Sequence, residues 1–165
     1  MMKIQQIRNA TLIITYANKR FLIDPMFAPK DFYPPIPKCF NPNTKWPLVD
    51  LPFAISKIID NIDAVILTHY HIDHFDDFVK NAIAQYAPTK IIINCADAQF
   101  EHSGSIIMGT DDILKLHQYT PNLKIIASHL DTVGHATLNR QQLSEFITQH
   151  KLADYIFVPE DGEII

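Results

Sequence analysis

The segment THYHIDHFDD at residues 68–77 carries three histidines and three aspartates within ten residues. Neutral imidazole nitrogens and carboxylate oxygens bind Zn²⁺, and they also bind Mn²⁺ and Fe²⁺. Alternate positions 69, 71 and 73 of an extended turn can converge on one ion, and His74 can face a second ion beside it. The segment therefore predicts a site for one or two divalent transition metal ions, with zinc as the expected metal. The alternative is a polar loop that only happens to contain histidines.

The regions around this segment predict an α/β fold, with short apolar strands alternating with amphipathic helices. The first three strands read as an antiparallel meander with a tight turn at Asn18. The histidine segment lies at the carboxyl end of a strand, where such folds build sites. Asp76 and Asp77 fit the start of the next helix, where negative charge is favourable. Strands are predicted at 3–7, 11–16, 20–24, 64–68, 90–94, 124–128 and 155–158. Two helices are predicted at 53–61 and 75–86. Two more are predicted to begin after the cap residues Thr110 and Asn139.

Residues 25–52 form a long segment without a helical or strand pattern, and they contain eight of the eleven prolines. Proline is excluded from helix interiors and from central strands, so this segment predicts an irregular loop. Five aromatic residues favour a packed loop over a disordered one. Two roles remain open, because such a loop can wall a pocket or can only cover apolar surface.

Composition limits the partners of the chain. A length of 165 residues suits one domain, expected to span 1–165. The net charge of −4 and the lack of a basic run argue against nucleic acid or an acidic membrane surface as partner. No apolar run approaches the roughly 18 residues that span a bilayer. Cys39 and Cys95 make neither a disulfide framework nor a CxxC pair. We expect a cytoplasmic protein with a small-molecule substrate.

Several motifs carry a resemblance to a known family. The HxHxDH pattern follows the strand-like VILT in DAVILTHYHIDHFDD, and RFLIDPMFAPK and YPPIP precede it. In these motifs the chain resembles the metallo-β-lactamase fold superfamily, in a branch of metal-dependent hydrolases similar to the ascorbate-phosphate lactonases. NCADAQF, KIIASHLDTVGHATLNRQQL and LADYIFVPEDGE extend the resemblance over nearly the whole chain. It implies a shortened αββα sandwich and hydrolysis of an ester, lactone or phosphoester by metal-activated water.

The resemblance also implies roles for individual residues. It assigns His69 and His71 to a first metal centre, and Asp73 and His74 to a second. His129, at the end of the predicted strand 124–128, matches a further ligand of the second centre. Asp73 is also the expected catalytic residue, since it would take the proton or hand it on.

Two further residues match the family pattern with roles that stay open. Asp24 matches an aspartate that lies beneath the metals and orients their ligands. It could instead only cap the turn at Asp24-Pro25. His135 matches a later histidine of the same branch, and its simpler role is a structural hydrogen bond.

The chain departs from the family between residues 86 and 89. The family carries a long block here, which holds a histidine of the first centre and an aspartate that bridges the metals. In this chain Tyr86 is followed by three residues and then by the predicted strand 90–94, so both ligands are missing. Asp97 or His102, from the same chain or a partner, are the candidate replacements. A catalytically impaired or inactive member, acting as a metal-binding or assembly module, is therefore the alternative function. The missing strands would expose sheet edges and apolar faces, so a homo-oligomer is expected.

Overall fold

The computed structural model describes residues 1–86, 88–101 and 104–165, and these residues form a seven-stranded sheet with helices packed against it. The mixed α/β class predicted from the alternating pattern is confirmed. The strands are β1 (Lys3–Arg8), β2 (Thr11–Tyr16), β3 (Lys19–Ile23), β4 (Ala64–Leu67), β5 (Lys90–Asn94), β6 (Lys124–Ser128) and β7 (Ile156–Phe157). The helices are α1 (Ile55–Ile59), α2 (Asp77–Tyr86), α3 (Thr110–Tyr119) and α4 (Arg140–Gln149).

The strands lie side by side in the order in which the chain produces them, from β1 to β7. The first three pair antiparallel, which confirms the predicted meander, and Asn18 takes a φ of 61° in the turn between β2 and β3. From β3 onward every pairing is parallel. Crossovers between parallel strands are right-handed, and here each moves to the next strand in the same direction. The connecting helices therefore lie on one face of the sheet.

The helix-covered face of the sheet contains the core. Leu22, Val65, Ile91 and Ile125 are partners across four neighbouring strands, and all four are 0% exposed. They belong to one cluster with the buried side chains of the four helices. Of the four layers that the resemblance implies, the described residues thus form two, a sheet and the helices on one side of it. Each described helix is too short or too polar to cross a membrane.

The two predicted helix caps have different outcomes. Asn139 caps α4 as expected, because its side chain accepts a hydrogen bond from Gln142 N at 2.8 Å. The expectation for Thr110 is wrong, since Thr110 is the first residue of α3 and Gly109 is its cap. A Cβ atom at Gly109 would lie 3.2 Å from Cγ of Asp97, so this close approach favours glycine. The contact joins distant parts of the sequence and has no local signal.

The proline-rich loop 25–52 packs against the rest of the protein. The ring of Phe32 lies 5.0 Å from that of Phe78 on α2, and Tyr33 and Trp46 pair through their backbones and their rings. Burial, followed by the charges of nearby aspartates, raises the pKa of Tyr33 to about 12. These contacts confirm a packed loop, and they support its role as a cover for apolar surface.

Two buried charged residues fasten the beginning of this loop. The Arg8 side chain is 4% exposed and donates to the carbonyl oxygens of Met26 at 3.1 Å and Ala28 at 2.7 Å. Asp76, directly before α2, is 1% exposed and accepts from the backbone N–H groups of residues 27, 28 and 79. Asp77 begins α2, as predicted. Asp76 therefore caps the helix and also holds a segment almost fifty residues away.

His117 on α3 predicts a pH dependence of stability. Its ring lies 4.8 Å from that of Tyr155, and its Nδ1 is buried without a hydrogen-bond partner in the described part of the chain. Burial lowers the pKa of His117. The unfolded chain then binds more protons than the folded one, so stability is lost as the pH falls from about 6.5 through the folded-state pKa. We expect His117→Gln to flatten the fall in melting temperature between about pH 7.5 and about pH 5.

The matched control for this prediction is His150→Gln. His150 is exposed at the end of α4, and its ring packs on Phe146 at 4.2 Å. We expect this variant to keep the pH dependence of the unmodified protein. Equal slopes for His117→Gln and the unmodified protein would contradict the role assigned to His117.

Candidate functional site

The predicted metal-binding segment lies at the carboxyl end of β4, and the structure brings its three histidines together. The ring centroids of His69 and His71 are 4.8 Å apart, and those of His69 and His74 are 3.7 Å apart. The backbone N–H groups of His74 and Phe75 both donate to the carbonyl oxygen of His71 at 2.9 Å. This tight turn folds the segment back, so that His74 returns to the side of His69.

Asp24 ties this loop to the neighbouring strand β3. Its Oδ1 accepts from Thr68 N at 2.8 Å, and its Oδ2 accepts from Thr68 Oγ1 at 2.7 Å. The same Oδ2 lies 3.2 Å from Nδ1 of His74. Asp24 is 4% exposed and has a φ of 41°, a backbone conformation that aspartate tolerates better than most residues. The carboxylate thus fixes the start of the loop.

His74 lies between two carboxylates. Its approach to Asp24 falls outside hydrogen-bonding geometry, so Nδ1 is buried without a hydrogen bond among the described residues. Its Nε2 lies 3.6 Å from Oδ2 of Asp73. Two ligands of a tetrahedral ion at about 2.1 Å are roughly 3.4 Å apart, so Asp73 and His74 have nearly the separation of two metal ligands. Together with a carboxylate behind the histidine, these donors fit a divalent transition metal.

The ligand set around this pair is incomplete. Within residues 1–86, 88–101 and 104–165, no three histidine, cysteine, aspartate or glutamate side chains are placed to hold one ion together. The rings of His69 and His74 pack against each other, and Nδ1 of His69 lies 3.1 Å from Oγ1 of Thr68. The assignment of His69, His71, Asp73 and His74 as metal ligands therefore stays a prediction.

The charge state of His69 suits metal binding. Burial lowers the pKa of His69, and the neighbouring His74 and His71 lower it further, against the opposite effect of Asp24 and Asp73. The neutral imidazole is the form that binds metal. The surroundings of His69 therefore keep it in the binding form at neutral pH.

The structure does not bring His129 or His135 into contact with the cluster. His129 follows β6, which is two strands and about 10 Å from β4 in the sheet. It is exposed, has a φ of 70° and lines a cavity of about 310 Å³ with Arg140 and Glu160. The ring of His135 stacks on Phe100 with centroids 5.0 Å apart. The role of His129 as a ligand stays a prediction, and the role of His135 stays open.

Of the two candidate replacement ligands, only Asp97 lies in the described part of the chain, and its contacts lie away from the cluster. The carboxylate of Asp97 accepts from Thr137 Oγ1 at 3.0 Å, and Asp97 lines a cavity with Gln142 and Glu145 of α4. His102 lies outside the described residues.

Two residues that the sequence analysis did not single out hold the loop in position. Thr68 joins Asp24 to His69 through the contacts described above. Asn94, at the end of β5, donates to the carbonyl oxygen of Thr68 at 2.6 Å. Both are polar residues at the end of an apolar strand, which is the only sequence signal that could have identified them.

Comparison with known proteins agrees with this geometry. Residues 5–76 match the model of the metallo-beta-lactamase superfamily. The chain is 30% identical to the UPF0173 protein YddR of Bacillus subtilis (strain 168) over 250 aligned positions, which cover 98% of each protein. Since this chain has only 165 residues, much of that relative has no counterpart here. The chain therefore lacks residues that this relative carries, and the position of the gap near residues 86–89 stays a prediction.

Two solved structures are similar to this chain. The structure of a possible metal-dependent hydrolase from Veillonella parvula DSM 2008 is 28% identical, with a TM-score of 0.51 and coverage of 100% of this chain and 99% of that one. An isothiocyanate hydrolase from Delia radicum gut bacteria is 25% identical, with a TM-score of 0.49 and coverage of 99% and 98%. On the match to YddR along nearly its whole length, the chain belongs to the UPF0173 family of the metallo-β-lactamase superfamily.

Proposed function

We propose that this protein is a metal-dependent hydrolase that cleaves an ester, a lactone or a phosphoester. One observation carries the proposal, the placement of Asp73 and His74 at ligand-like separation with the buried Asp24 behind His74. Membership of the superfamily supports it, as does the name of the similar structure from Veillonella parvula, a possible metal-dependent hydrolase.

In this proposal His69, His71, Asp73 and His74 hold one or two divalent ions, and His129 joins them. Zinc is the expected ion, and manganese or iron are alternatives. When bound, such an ion supplies a water of lowered pKa and polarises the oxygen of the scissile group.

The protein's own residues position the reacting groups and move the proton. Asp24 and Thr68 hold the loop, which limits the orientations open to His74. The side chain of Asp73 is 49% exposed, so its carboxylate can take a proton from a water molecule and pass it to solvent. Asp73 therefore has the double role of ligand and proton carrier.

A second candidate function is a metal-binding or assembly module without turnover. Two observations favour it, the shortened chain and the incomplete set of donors in its described part. It differs from the hydrolase in predicting no metal-dependent turnover of any ester, lactone or phosphoester.

Metal removal distinguishes the two functions. We expect the purified protein to retain a divalent transition metal through dialysis, and to hydrolyse at least one compound in a panel of esters, lactones and phosphoesters. Turnover should be lost with a chelator and regained with zinc, manganese or iron, because the ion supplies the activated water. A chelator already loaded with zinc is the control and should leave turnover unchanged.

The metal content of two variants provides a second measurement. His71 is exposed, so His71→Ala should fold normally and retain less metal. His150→Ala, at an exposed histidine on the end of α4, should retain as much metal as the unmodified protein. A protein without retained metal would contradict the hydrolase and leave only an assembly module, whereas retained metal without turnover would favour a metal-binding module.

A further inference from the structure

The face of the sheet opposite the helices is apolar, and none of the four described helices packs on it. A row of side chains crosses six strands on this face, and its members are partners of one another in neighbouring strands. All are partly exposed, and the last is 37% exposed. The row consists of Leu12, Ile23, Ile66, Ile92, Ile126 and Phe157.

This row is separate from the core. Side chains along a strand alternate between the two faces, so these residues point away from the buried row that contacts the helices. None of the six belongs to the described side chains that form or pack against the helix-side core. The parallel crossovers explain the bare face, because each of them places its connecting segment on the other side of the sheet.

Polar residues border the apolar row at both ends of the strands. Asn94 and Ser128 lie on the same face at the carboxyl ends of β5 and β6, and Lys90 and Lys124 lie on it at the amino ends. The row itself contains no charged side chain. An apolar centre inside a polar rim is the usual anatomy of a protein interface, and here burial would leave no unpaired charge at the centre.

We propose that this face packs against the same face of a second copy of the chain, giving a homodimer with two stacked sheets. Each copy would keep its helices on the outside, so the dimer would have the four layers that the resemblance implies for a single chain. The residues that YddR carries and this chain lacks are the reason for choosing a second copy, because the sheet and helices of that copy can supply the two layers that one chain does not form.

The size of the face is consistent with this partner. Seven strands about 4.8 Å apart and on average slightly under five residues long cover roughly 520 Å² when treated as flat. Two such faces bury about 1,000 Å², which reaches the lower limit for a specific interface. Aligned sheets pack about 10 Å apart with interdigitated side chains, and a twofold axis needs only a patch that complements itself. An apolar row without charge meets that condition.

Sedimentation velocity and light scattering on the full chain test the proposal. The unmodified protein should have twice the mass of 18.9 kDa at micromolar concentration. Ile92 lies near the middle of the row, so Ile92→Lys would place two charges in the centre of the dimer and should weaken it at least about a hundredfold. The matched control is Ile36→Lys, at a position in the proline-rich loop that is 51% exposed, and it should leave the dimer intact.

A milder variant covers the case in which Ile92→Lys does not fold. Ile126→Thr keeps a β-branched strand former and should weaken the dimer about tenfold while the circular dichroism spectrum stays unchanged. Three results would each overturn the proposal: a monomeric unmodified protein, a dimer that both folded variants of the row leave unchanged, or equal dissociation by Ile36→Lys.

Discussion

Replacing Asp76 with alanine is expected to lower the free energy of unfolding by about 3 to 5 kcal/mol. The carboxylate is 1% exposed and accepts three backbone hydrogen bonds, from Phe27 at 2.9 Å, Ala28 at 2.7 Å and Val79 at 2.9 Å. Alanine would leave these three N–H groups buried without an acceptor, and it would also remove the negative charge with the largest electrostatic effect on the buried Arg8. Since domains are stable by about 5 to 15 kcal/mol, much of the total would be lost.

Urea denaturation at neutral pH measures this loss. The matched control is Asp77→Ala, because the neighbouring Asp77 side chain is 80% exposed and only pairs with Lys80 at 2.7 Å. Its removal should change stability by no more than about 0.5 kcal/mol. The two variants are compared by their loss of unfolding free energy. A difference below about 1 kcal/mol between Asp76→Ala and Asp77→Ala would contradict the role of Asp76 in fastening the proline-rich loop.

The second large effect is expected at Asp24, where alanine should weaken metal binding about 10- to 100-fold. The carboxylate holds Thr68 through two hydrogen bonds and lies 3.2 Å from Nδ1 of His74. Without it, the loop after β4 loses its anchor to β3 and the imidazole loses the group that orients it. Competition with a chromophoric chelator for Zn²⁺ would measure the change.

Two further variants separate orientation from backbone strain. Asp24→Asn keeps an acceptor for Thr68 N but removes the charge beside His74, so it should retain the fold and still bind metal more weakly. Asp31→Ala is the control, because exposed Asp31 has a similar left-handed φ of 57° and lies in the proline-rich loop. Equal zinc affinity in Asp24→Ala and Asp31→Ala would refute the orienting role.

Strands with a continuous apolar pattern could be predicted from the sequence. The expected bounds 90–94 and 124–128 agree with β5 and β6, because a central parallel strand is buried on one face and partly shielded on the other. The cap at Asn139 was equally local, since its partner is three residues away. The cap at Gly109 was missed because its reason is a contact with Asp97.

The candidate site divides in the same way. Histidines within one short loop must lie near one another, so the cluster after β4 was predictable from spacing alone. Asp24 was identified through the family resemblance, and the structure adds its hydrogen bonds to Thr68. The hydrogen bond from Phe27 N to the Asp76 carboxylate joins residues that are 49 positions apart, and no local sequence pattern predicts such a contact. The position of His129 relative to the cluster likewise could not be predicted, because it depends on where β6 lies in the sheet.

Because the order of the strands in the sheet is their order in the chain, the sheet can fold while the protein is being synthesised. Each strand from β2 to β7 pairs with the strand synthesised just before it. Its pairing partner is therefore already present when the strand leaves the ribosome. No strand has to wait for a later one or insert between two others, which favours folding during synthesis from the amino end. A sheet that forms in this order can also tolerate the loss of an internal block. The strand that follows the lost block pairs with the strand that was then at the edge of the sheet.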